Sequence, residues 1–352
     1  MLGWIRTLFR RNPVARPAPR ARIEVSETGS PARGASAADS RAAQQIESEP
    51  RPALPARSGL VLDHEPAHGK TLQEREHKLL ARVGLRVERR QIELPQLPST
   101  SLGAIDLCSR PHVEISDIVA LIERDPVLSS ELLRIANSVL YAAAEPAHTL
   151  HEALVRVGLR TLRSMLYAVS VRGAILGDRS LAAYAEEVWR QASSCAAIAR
   201  TLGKPLGMEA ERAYLIGLLH DVGKLPLLAM LRKAVTKESE VTPALVGRMF
   251  KQYHEEAGAA LARAWRLPEE IIEVAGKHHD YASHGEHARA AALASLVHKL
   301  DLFLALGAEE DFRGLAHAPE FEFLKIPAER RPLLLAEAQA AFEAQLGERS
   351  AH

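Results

Sequence analysis

A chain of 352 residues, 47% of them hydrophobic, can bury a sizeable core and divides into one or two domains plus tails. Its 45 Lys plus Arg against 44 Asp plus Glu leave a net charge of +1, which removes any global electrostatic reason for an obligatory nucleic-acid partner. Only two cysteines, Cys108 and Cys195, are present, both in apolar helical patterns; they exclude a disulfide scaffold and a cysteine zinc site, and a reducing cytoplasm is the expected location.

Residues 1–11 form a short basic amphipathic segment. Met1, Trp4, Ile5 and Leu8 recur at helix-face spacing while Arg6, Arg10 and Arg11 fall mostly elsewhere, a pattern suited to an anionic membrane surface. So short a helix is marginal alone, and a frayed tail is the plainer reading. No run is expected to reach the roughly 20 apolar residues of a bilayer span. From 12 to 70 the composition turns to Pro, Ala, Arg, Ser and Glu, with too few large apolar groups to offset ordering entropy, which predicts a disordered tether. Residues 71–92 regain helical charge patterning at Gln73–Lys78 and read as a helical linker. Leu94-Pro95-Gln96-Leu97-Pro98 then punctuates the chain, because each proline restricts the residue before it, and the folded body is expected to begin there.

Beyond that point the pattern is almost all helix. Ile115 to Glu123 has helical apolar spacing, Asp125-Pro126 opens a segment continued by Leu128, Leu132, Leu133, Ile135 and Ala136, and Gly158, Gly173, Gly177, Gly203 and Gly207 are spaced like helix ends. Asn137 and Ser138 are placed to cap backbone groups. Arg156, Arg160, Arg163 and Arg172 read as a solvated face, with an anionic partner as the alternative. Trp189 and Trp265 lie in apolar stripes and read as core. Residues 306–352 form a C-terminal helical extension, with Pro332 at the start of a helix over Leu333 to Leu346. The fold class is therefore all-α.

The stretch Leu215–Lys224 carries the chemistry. An apolar helical run ends in adjacent His220 and Asp221, and Gly223 breaks the helix just after them. His254, the doublet His278-His279 and Asp301 follow in segments of helical spacing. Imidazoles with carboxylates suit a divalent cation such as Fe, Mn, Zn or Mg. The same residues also suit plain hydrogen bonding within a core, and both readings stay open at this point.

Several phrases, in order, resemble the HDOD domain, a bacterial signalling module related to the HD phosphohydrolases and the HD-GYP cyclic-di-GMP phosphodiesterases. They are Leu94–Pro98, Ile122–Leu128, Leu132–Tyr141, Ala153–Gly158, Leu218–Lys224, and Trp265–Pro268 leading to His278-His279. The likeness covers about residues 92–305, so a domain is expected over 93–305 as a multi-helix HD-superfamily-like bundle behind the disordered N-terminal segment.

The resemblance implies metal ligands at His220, Asp221, His254, His278, His279 and Asp301. It also implies a catalytic Lys224 if the protein is a hydrolase. Where relatives carry a His two positions after a Trp, this chain has Gln191 after Trp189; Glu187, four residues before, is a candidate acidic ligand. Asp280-Tyr281-Ala282-Ser283 replaces the Gly-Tyr-Pro loop of the cyclic-dinucleotide enzymes. These two departures lean the expectation away from an enzyme, toward a regulatory scaffold acting through signalling proteins, with a nucleotide-like ligand as a further candidate. The alternative is a metal-dependent phosphohydrolase or phosphodiesterase on a nucleotide or cyclic dinucleotide. His148, His151, His284, His287 and His298 fall outside the ligand pattern and read as surface or packing residues.

Overall fold

The computed structural model describes residues 70–138, 141, 145–176, 181–235, 240–283, 285–306 and 315–350. The segment 1–11 and all but the last residue of the tether lie outside the described residues. Among those described there is no strand, and the chain is helical almost throughout.

Thirteen α-helices appear among the described residues: α1 (Lys70–Glu88), α2 (Ser99–Cys108), α3 (Ile115–Ile122), α4 (Pro126–Ala136), α5 (Leu150–Leu176), α6 (Ala182–Gly203), α7 (Ala210–Leu219), α8 (Lys224–Ala234), α9 (Pro243–Ala264), α10 (Glu269–Lys277), α11 (Ala288–Leu306), α12 (Pro319–Phe323) and α13 (Arg331–Ser350). Local chemistry sets several of the starts. Asp125 accepts from the amides of Val127 and Leu128 ahead of Pro126, Thr242 accepts from Leu245 ahead of Pro243, and Glu209 accepts from Glu211 and Arg212. Each arrangement satisfies donors that a helix leaves open, and proline at the first turn loses nothing there.

α5 packs against α2, α3 and α4 on one side and α6 and α7 on the other, while α6, α7, α9, α10 and α11 form the second group. One continuous apolar core runs through both. Gly158 has φ 77° and breaks α5 in two, as a helix end should; Gly173, by contrast, sits inside the helix, because burial of Val171 and Ile175 outweighs the roughly 1 kcal/mol cost of a helical glycine. The opening prolines are pinned by the Trp265 indole, which donates to the Pro95 carbonyl at 2.8 Å.

α1 is docked, not a free connector. Its Val83 and Val87 are buried, and the buried Glu76 carboxylate takes the Thr242 hydroxyl and the Arg248 guanidinium at the start of α9. Asn137 stands at the C-terminal end of α4, its backbone amide donating to the Leu133 and Ile135 carbonyls. Its side-chain amide exchanges two bonds with the backbone of Ala147, at 2.9 and 2.7 Å, which clamps the following loop to that helix end. The arginine run is only partly a solvated face: Arg156 donates to Asn137 and the Glu145 carbonyl, and Arg172 pairs with Glu131.

Contrary to the sequence expectation, Ala210–Ala234 is long and apolar enough to cross a membrane by length and composition. Yet 89% of that window is buried inside the molecule, which makes it the core pair α7–α8.

Candidate metal centre

The HD step stands at the hinge between α7 and α8. The apolar run Leu215–Leu219 buries α7, so His220 and Asp221 arrive in the interior, 0% and 4% exposed. Glycine then lets the next helix come close. A Cβ at Gly223 would overlap the His254 carbonyl, and one at Gly258 would stand 2.6 Å from the Ala275 carbonyl, so α8, α9 and α10 meet backbone to backbone. That contact carries His254 and His278 to Asp221.

Asp221 divides its carboxylate. Oδ2 takes the Lys224 ammonium at 2.8 Å and faces His220 Nε2 and His298 Nδ1, each at 3.1 Å. Oδ1 faces His254 Nε2 at 3.4 Å and His278 Nε2 at 3.6 Å. These three atoms, Asp221 Oδ1, His254 Nε2 and His278 Nε2, are buried and lack any hydrogen-bond partner. The other ring nitrogen of each histidine is occupied: His254 Nδ1 lies 2.6 Å from the Phe250 carbonyl and His278 Nδ1 3.1 Å from that of Val274. A carbonyl can only accept, so each Nδ1 bears the proton and each Nε2 presents a lone pair toward Asp221. Burial, first of all, drives the His254 pKa down to about 4 and that of His278 well below its ordinary value, which keeps both rings neutral. The groups gathered around it, His220, Lys224 and His298, hold the Asp221 carboxyl well below the usual carboxylate range in spite of its burial.

Two neutral imidazoles and a carboxylate that converge without partners fit a divalent cation. Ligand atoms about 2.0–2.2 Å from a tetrahedral ion stand roughly 3.3–3.6 Å apart, which is the separation the two histidines keep from Asp221. Four buried residues, His220, Asp221, His278 and His298, bring one donor atom each within 4.8 Å of one another, and so do His254, Glu255, His278 and His279. The expectation that Gln191 leaves a broken shell, and with it the leaning away from an enzyme, is thereby overturned. The clustered set contains no glutamine, and His298 completes it.

The remaining expected residues fall as follows. His279 is exposed, its ring 4.2 Å from that of His278, and its backbone amide donates to Glu255. Lys224, 2% exposed, donates to Gln191 Oε1 at 2.6 Å as well as pairing with Asp221 at 2.8 Å, so it orients the carboxylate. Asp301 is buried but turned to Arg190, whose two terminal nitrogens reach its two oxygens at 2.8 and 2.9 Å; Glu187 takes the same arginine at 2.8 Å. Neither acid joins the histidines. His298 falls outside the sequence-read ligand pattern because nothing adjacent pairs it with an acid; its place one turn before Asp301 on α11 was the available signal. A cleft of about 240 Å³ lined by Leu206, Arg289, Lys325, Ile326 and Arg330 shares no residue with this cluster.

An all-α bundle with a His-Asp step clustered among further histidines defines a protein of the HD-superfamily type. The HDOD domain family model matches residues 94–281, and the chain belongs to that family. It is similar to an uncharacterized protein of Treponema pallidum (strain Nichols), 33% identical over 218 residues that make up 59% of this chain and 41% of that one, so it spans well under half of that relative's length. Among solved structures, a protein of Shewanella amazonensis SB2B provisionally named a metal-dependent phosphohydrolase superposes with TM-score 0.59 at 20% identity, over 77% of this chain and 99% of that one. An HDOD domain protein of unknown function from Geobacter sulfurreducens superposes with TM-score 0.56 at 24% identity, over 78% and 97%. Both likenesses are of fold.

Proposed function

We propose that this protein is a metal-dependent phosphohydrolase acting on a phosphoester of the nucleotide or cyclic-dinucleotide class. The supporting observation is the trio of buried, partnerless donors Asp221 Oδ1, His254 Nε2 and His278 Nε2, since buried polar atoms otherwise find partners. A divalent cation held there supplies Lewis-acid polarisation of a phosphoryl oxygen and activation of water. The chain's own groups prepare that place. Phe250 and Val274 fix the two imidazole tautomers through their carbonyls, and Lys224, His220 and His298 gather on Asp221 Oδ2 and aim Oδ1 at the histidines. Of the clustered imidazoles, His279 is the exposed one.

A second reading is a regulatory module that works through protein partners. It is favoured by Arg190, which neutralises two acids otherwise open to a cation. Elemental analysis of the purified protein, followed by assays on cyclic dinucleotides and a generic phosphodiester with added manganese or iron, separates the two. The expected outcome is about one equivalent of metal and turnover that Asp221→Asn abolishes together with the metal. Bound metal without turnover on any phosphoester removes the hydrolase and leaves the regulatory reading.

A further inference from the structure

Beside the histidine cluster two acids converge on one guanidinium. Asp301 on α11 is fully buried, and the side chain of Glu187 on α6 is only 19% exposed. Arg190 gives Nη1 and Nη2 to the two oxygens of Asp301 and Nε to Glu187 Oε1. Phe342 of α13 lies over it, ring centre 5.9 Å from the guanidinium carbon. A planar fork engaged on two sides is held in one place. Without it, two carboxylates would share an interior site short of counter-charge, a condition that another cation, or protonation of one acid, relieves.

The contrast with Asp221 is informative. Lys224 engages only one oxygen of Asp221 and leaves Oδ1 partnerless, whereas Arg190 consumes both oxygens of Asp301. Gln191, next in sequence to Arg190 on α6, accepts from Lys224 of α8, so both built-in cations touch the same stretch of α6. One acid is left open to a metal and the other is closed.

We propose that Arg190 is a resident cation whose guanidinium takes the seat between Glu187 and Asp301 that a second divalent ion would occupy, so that the chain holds one metal and not two. The location of the first ion rests on the metal reading above; the role of Arg190 is testable apart from it. The readout is manganese stoichiometry in wild type, Arg190→Ala and Arg190→Lys, by calorimetry and by elemental analysis after desalting, with circular dichroism to monitor folding. Arg190→Ala is expected to bind one equivalent more than wild type, and Arg190→Lys the same as wild type. A folded Arg190→Ala that binds no more manganese than wild type overturns the proposal. Wild type with none and Arg190→Ala with one leaves it standing and sinks the metal reading instead. If Arg190→Ala is unfolded in chelator, the gain is read as manganese-dependent recovery of helical signal, and no recovery overturns it.

Discussion

His254 shows how a single side chain ties the site to the stability of the fold. Its ring is buried with a pKa near 4, against an ordinary 6.5 in the unfolded chain, and burial is the main cause. Between those values the unfolded chain takes up a proton that the folded one refuses. In chelated protein stability is therefore level above about pH 6.5 and falls as pH drops toward 4, with His254 alone contributing on the order of 3 kcal/mol of that loss. His278, shifted in the same direction for the same cause, adds to it. Urea midpoints taken from pH 7.5 to 4.5 check this, and His254→Phe should flatten the slope; an unchanged slope in that variant would show that other groups carry it. At this scale adjacency made His220-Asp221 and His278-His279 stand out in the sequence, with a helix break after the first pair, whereas His254, isolated inside α9, was assigned as a ligand only through the family resemblance. The sequence left Arg190 unread: Trp189-Arg190-Gln191 drew attention to the imidazole that Gln191 lacks, while the partner of Arg190 lies 111 residues away. Pairings of that range leave no local pattern in a chain.

At the scale of helices, the hinge between α7 and α8 is what assembles the donors. Gly223 was legible as a helix breaker, but its second role, admitting the α9 backbone, depends on which helix packs there and has no sequence signature. Gly223→Ala forces a methyl group into the His254 carbonyl, so α8 and α9 must part. The expected cost is about 3 kcal/mol, with weakened manganese binding, because Asp221 and His254 separate along with the helices. Asp125→Ala is the matched control: it removes the cap on α4, far from the histidines in the chain, and should cost about 1 kcal/mol with metal affinity unchanged. Equal loss of affinity in both variants would mean that global destabilisation, not the hinge, governs binding. Helix existence was easier to read than helix continuity. Pro126, Pro243 and Pro332 mark starts through their own chemistry, whereas Gly173 has nothing within reach of an added Cβ and is carried through by the buried residues around it.

Over the whole molecule, the C-terminal extension meets the Arg190 clamp through α6. α13 lies outside the residues matched by the family model, yet it packs along α6 and touches α11, the two helices that carry Arg190 and Asp301. Its Phe342 is 6% exposed and sits over the guanidinium. Phe342→Ala should destabilise the protein by roughly 3–4 kcal/mol, the usual cost of deleting a buried phenyl ring. The loss should not fall on the first metal, whose partnerless donors Asp221 Oδ1, His254 Nε2 and His278 Nε2 lie at the α7–α8 hinge, on α9 and just past α10. Manganese at about a hundred times its dissociation constant contributes roughly 2.7 kcal/mol to any folded protein that binds it. Chelated and manganese-loaded melts of wild type and Phe342→Ala should therefore lie on two parallel pairs, offset by the ring deletion and separated by the same metal increment. If the increment vanishes in Phe342→Ala, α13 is part of the metal centre and the ion must lie nearer Arg190 than Asp221 and His254 place it.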